Sequence, residues 1–150
     1  MRFRRHARRG TAALEFALVG SITTIILLGL IIGGLGISDY QQVAYLAREA
    51  SRYASTHGAQ YATDTKNAAA TATSIYNNAI VPHAVGLNLN QLTYTVTWNT
   101  SNAQFHTVTV GGVTTKVANT VSVTVTYKLA ANAYLGGITL KSTAVATISY

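Results

Sequence analysis

Residues 16–37 form a run of 22 positions without one charged side chain, and that run limits what the chain can become. At about 1.5 Å per residue, a helix of this length reaches about 33 Å, enough to cross a hydrocarbon core of about 30 Å. One membrane span is therefore expected. The flanks orient it: Arg2, Arg4, Arg5, Arg8 and Arg9 all precede Gly10, so the positive-inside rule puts residues 1–10 in the cytoplasm and everything after Ser38 on the far side. The net charge of +7 belongs largely to this leader, because the six basic and four acidic residues from Thr11 onward leave a surplus of only two. That distribution does not make a nucleic-acid-binding patch. A secretory signal peptide shares the basic start, but its apolar region is usually about 7–15 residues long and a small-x-small cleavage site follows it. Here the run is longer and passes directly into polar helical sequence. Spacing alone leaves cleavage after Gly33 or Gly36 open.

Glu15 stands at the edge of this run, where a carboxylate costs a few kcal/mol on insertion scales and needs a partner. Arg8 and Arg9 offer one explanation, a snorkelling ion pair within the leader. Cleavage between Gly10 and Thr11 offers another, since it creates an α-amine and makes Glu15 the fifth residue of the shortened chain. An amine of one subunit paired with Glu15 of its neighbour would neutralise both charges and fix the axial register of packed helices. Within the span, Gly29 and Gly33 form a small-xxx-small pair suited to close helix approach.

The residues that raise these alternatives also carry a resemblance. A basic leader, Gly10, and then "TAALEF" with Glu15 and Phe16 resembles the processing signature of type IV prepilins. The wider string "RRGTAALEFALV", followed beyond the span by "AREASRYAS", is similar to the TadE-like minor pilins, or pseudopilins, of the tight adherence (Tad, or Flp) pilus system. The similarity covers the leader and first helix, about a third of the chain. Gly20 stands near where relatives often carry a proline. The resemblance implies cleavage by a prepilin peptidase between Gly10 and Thr11, recognition and subunit packing through Glu15 and Phe16, and other pilins and the assembly machinery as partners. It also implies residence in the bacterial inner membrane before assembly into a pilus used for adhesion.

Beyond the span, Tyr40, Val43, Ala44, Ala47, Ala50 and Ala54 keep helical spacing, so the helix is expected to continue to about His57 with Gly58 as its C′ residue. Packing beneath a sheet is the favoured reading of this alanine stripe. Glu49 and Arg52 are spaced for a local pair on a solvated face. A second helix is expected over residues 64–80, capped by Thr63 or Asp64 and closed by Pro82. From Leu89 the period changes to two: Leu92, Tyr94, Val96 and Trp98 share one face, then Val121, Val123, Val125 and Tyr127, then Ala144, Ala146, Ile148 and Tyr150. Gly111 and Gly112 mark a hairpin between these runs. Four or so antiparallel strands with one apolar face need a cover, and the outer half of the long helix supplies it. The expected fold is thus α+β and type IV pilin-like: a leader (1–10), a long helix (11–58) and an extracytoplasmic head (59–150).

Little in this head suggests catalysis or a cofactor. No cysteine is present, which excludes a disulfide framework and a thiolate metal site. Beyond the span the acids are Asp39, Glu49 and Asp64, all in the helical half, while His57, His83 and His106 stand apart from carboxylates in the sequence. Neither a nucleophile elbow nor a phosphate-binding glycine loop occurs. Trp98 and the tyrosines are interleaved with threonine and not with Lys or Arg, so no nucleic-acid surface is expected. The sequon at Asn99, Thr100 and Ser101 carries little information. Two functions remain, a pilus assembly subunit or a permanently anchored extracytoplasmic binding or sensor module.

Overall fold

Proline ends helices, and the only one in this chain is Pro82. The segment before it is rich in Ala, Leu and Ile, and it forms one helix, α1, over Ala7–Thr56. The computed structural model describes residues 7–129 and 137–150. The leader arginines Arg2, Arg4 and Arg5 lie outside the described residues, as do the side chains of Arg8 and Arg9. Two units are distinguished, Met1–Ser38 and Asp39–Tyr150, with the boundary inside α1.

In the first unit, α1 runs unbroken past Gly20, and its large apolar side chains from Leu14 to Ile37 are exposed, apart from the half-buried Ile32. This helix is long and apolar enough to cross a membrane, and its most apolar window buries nothing within the protein. The burial that would stabilise such a surface has to come from lipid or from other helices.

In the second unit, the remainder of α1 presents Val43, Leu46, Ala47, Ala50 and Ala54, all fully buried. Their spacing puts them on one stripe, and the alanines let the sheet approach the helix backbone closely. Tyr40 and Ala44 fall outside this stripe, Tyr40 being exposed and Ala44 half-buried. Glu49 and Arg52 form the expected surface pair, at 3.9 Å.

The stripe faces a three-stranded antiparallel sheet of order β1-β4-β5, made of β1 (Leu92–Trp98), β4 (Thr120–Lys128) and β5 (Thr139–Thr147). Alternation works as expected. Leu92, Val121, Val123, Val125 and Tyr127 point into the core, while threonines occupy the other face, where Thr95 pairs with Thr124 and Thr124 with Thr143. The hydroxyls of Thr124 and Thr143 lie 2.8 Å apart.

The hairpin forms at Gly111 and Gly112, both at positive φ, joining β2 (Phe105–Val110) to β3 (Val113–Ala118). It does not enlarge the main sheet as expected but makes a separate two-stranded one. The division lies between Asn99, whose N–H donates to Thr120 O, and Gln104, whose O accepts from Asn119 N–H. Four residues, 100–103, are looped out opposite none, which bends the ribbon as a large bulge would.

Asn119 fixes that bend. It is fully buried, and its Nδ2 donates to Ala103 O at 2.8 Å while its Oδ1 accepts from His106 Nδ1 at 2.7 Å. Its backbone O accepts from Ile148 N–H at 2.9 Å. Every polar group of this buried residue has a partner, as burial requires.

The expected helix over residues 64–80 is instead broken. α2 covers Ala59–Thr65 and ends at Lys66, a left-handed residue with φ 59°. α3 covers Ala72–Ile75 and continues as one π turn over Tyr76–Ile80, and Pro82 falls inside a short 3-10 turn, Val81–His83. The working cap is Thr71, whose hydroxyl accepts from Ser74 N–H while the Ser74 hydroxyl accepts from Thr71 N–H. This reciprocal box outcompetes the proposed caps at Thr63 and Asp64. Ile75, Ala79 and Ile80 then complete the core beside α1.

Candidate processing and packing site

Gly10, Thr11, Glu15 and Phe16 all lie within α1 and are exposed. Helical geometry puts Glu15 one turn beyond Thr11 on the same face. Glu15 makes no ion pair or hydrogen bond with any described residue, and Glu49 and Arg52 form the only salt bridge among them. The glutamate stays where the sequence put it, with its charge unanswered inside the described chain.

The glycines of α1 share this incompleteness. A Cβ added at Gly10, Gly20, Gly29, Gly33, Gly34 or Gly36 would meet nothing within 4 Å among the described residues. Each glycine lowers helix stability by about 1 kcal/mol relative to alanine, and none is repaid by packing against the described residues. Gly29, Gly33 and Gly36 lie within an arc of about 60° around the helix axis, at about 100° per residue. A smooth stripe of this kind lets another helix approach.

In the second unit, by contrast, the described histidines are held by internal partners. His57 stacks on Tyr53 at 4.0 Å and leans on Tyr61 at 4.5 Å, and its Nδ1 donates to Tyr53 O. His83 donates from Nδ1 to Ala79 O, and its backbone O accepts from Gln42 Nε2. With His106 bound to Asn119, each of the three histidines has a structural partner. No group of three His, Cys, Asp or Glu residues suited to a metal occurs among the described residues. Asp64 accepts a hydrogen bond from the Tyr150 hydroxyl and holds that phenol pKa above its usual value.

A groove of about 620 Å³ opens beside β1, lined by Ala70, Thr71, Ala72, Val96, Trp98 and Ser101 among others. Trp98 Nε1 is buried without a hydrogen-bond partner. The alternation marked Trp98 as an inward residue but gave no sign of this groove, because the segment opposite, residues 70–72, is irregular in the sequence.

A long apolar N-terminal helix joined to a small antiparallel sheet and short helices defines an α+β, pilin-like protein. Residues 10–52 match the family model described as TadE-like protein, a family of Tad pilus-related function and not one of enzymes. The match begins at Gly10 and stops within the helical stripe that faces the sheet. No curated protein and no solved structure matches the chain.

Proposed function

We propose that this chain is a minor pilin or pseudopilin of a Tad/Flp-type pilus, cut between Gly10 and Thr11 by a prepilin peptidase and assembled through its N-terminal helix. The observation that carries this reading is the first unit of α1. Its match to the TadE-like family starts at Gly10, its large apolar side chains are nearly all exposed, and its glycines and Glu15 have no packing or ion-pair partner among the described residues. Residues 1–10 would lie in the cytoplasm and the head beyond the inner membrane, following the arginine bias.

Cleavage would remove the leader arginines and expose the Thr11 amine one turn before Glu15. Within a packed bundle, a neighbour shifted along the axis by about 6 Å, four residues at about 1.5 Å each, brings its Glu15 level with that amine. The ion pair would satisfy a charge that lipid cannot. Lateral packing would exchange lipid contact for helix contact at Gly29 and Gly33 while the head stays folded on the outer half of α1.

Glu15→Gln tests the packing role, because it removes the charge while keeping the shape. Membrane insertion should be unchanged and surface pilus output strongly reduced. Output equal to that of the unmodified protein would refute a role for the carboxylate.

A further inference from the structure

Two features of the head are incomplete, and they fit each other. The first is β1, an edge strand: outside the β1-β4 ladder, no backbone group of residues 93–98 has a hydrogen bond among the described residues. Its sequence LTYTVTW holds no charge, proline or bulge, the usual devices that keep an edge from pairing. The groove that contains Val96 and Trp98 runs beside this edge.

The second is the β2-β3 hairpin. A two-stranded hairpin is marginal in water without a covering layer, yet every residue of β3 is exposed, and of β2 all but His106. Its two faces follow the pattern of the main sheet. One carries Val108, Val110, Val113 and Val117 beside His106 and Thr115, with Val110 and Val113 directly paired and 74% and 68% exposed. The other carries Thr107, Thr109 and Thr114 together with Phe105, Lys116 and Ala118, and its threonines match those on the outer face of β1, β4 and β5. Strand lengths also agree, with six residues in each hairpin strand and seven in β1.

We infer that the β2-β3 hairpin of one copy of this chain pairs with the free edge of β1 in a second copy, extending the sheet to five strands. The threonine faces then run on continuously, and the valine face covers the groove at Val96 and Trp98. Strand addition supplies the missing backbone hydrogen bonds, and alternate side chains set the register. Because the donor and acceptor surfaces differ, the contact is head-to-tail and can repeat from copy to copy. A strand pair about 20 Å long and about 10 Å wide covers roughly 200 Å², well below the roughly 800 Å² per partner of a stable interface. The hairpin therefore aligns heads already held together by their helices, and in this the inference rests on the proposed lateral packing.

The absence of native cysteine gives a clean test on the full-length protein in membranes. Two differently tagged copies are co-expressed, one with Cys at Thr93, Thr95 or Thr97 and the other with Cys at Thr109 or Thr114, all on the threonine face. Oxidation should yield a mixed-tag dimer for at least one of these pairs, and that dimer should be lost when Val113→Lys and Val117→Lys are added at these exposed positions. A parallel pair carrying Ile25→Cys reports helix packing alone. Cross-linking at Ile25 with no β1-to-hairpin product would overturn the inference and leave lateral packing standing, whereas failure of both would overturn both. Capture of the β1 cysteine by itself or by a different polypeptide would also overturn it.

Discussion

An added methyl group at Gly58 would lie 2.5 Å from Tyr150 O and 2.6 Å from Asn102 O, with the backbone at φ −77°. Glycine is required here by close approach and not by the left-handed geometry expected of a C′ residue. Its own N–H donates to Tyr150 O at 2.7 Å, so the backbone cannot yield without losing that bond. Gly58→Ala should destabilise the head by about 1–3 kcal/mol, read as a lower melting temperature in detergent. Gly33→Ala, which meets no atom, should leave head melting unchanged, and any loss would go to assembly. Asn119→Ala should cost about 1–3 kcal/mol, because Ala103 O and His106 Nδ1 would each lose a partner at a buried site. Melting equal to that of the unmodified protein would count against Asn119 as the fixing point of the ribbon. Neither role could be read from the sequence: both depend on what Asn102, Ala103 and Tyr150 bring from far along the chain.

Among the elements, α1 gives a sharp internal comparison. Leu46→Ala on the fully buried stripe should cost about 2–5 kcal/mol, measured as lost denaturation midpoint, while Ile25→Ala, 70% exposed, should leave the head's midpoint where it was. Comparable losses from both would mean that the apolar run is core. The stripe and the strands were legible because each has a period that burial enforces: Val43, Leu46, Ala47, Ala50 and Ala54 follow 3.6, and Val121, Val123 and Val125 follow 2. The expected helix over residues 64–80 was not legible, since alanine, threonine and asparagine specify its state weakly and the Thr71-Ser74 box had a rival start upstream. The independence of the hairpin was hidden too. Val108 and Val110 alternate with Thr107 and Thr109 as a sheet strand would, and only the bulge at residues 100–103 keeps them from joining it.

For the whole molecule, the two units divide the work. Residues 39–150 enclose their own core, with His57, His83, His106 and Asn119 supplied with partners, whereas the large apolar side chains, the glycines and Glu15 of residues 10–38 find little counterpart among the described residues. The proposed processing and packing motif could be drawn from the sequence because it is contiguous, from Gly10 to Phe16, and because a charge beside an apolar run is chemically conspicuous. The partners this proposal requires would lie on other molecules and so would leave no pattern in this sequence. The account turns on whether the leader is removed. The most direct measurement is the N-terminus of the membrane-extracted protein, by intact mass and terminal sequencing, from cells with and without a prepilin peptidase. A chain beginning at Thr11 only when the peptidase is present is the predicted result. A chain that still begins at Met1, or one that begins after Gly33 or Gly36, would contradict it.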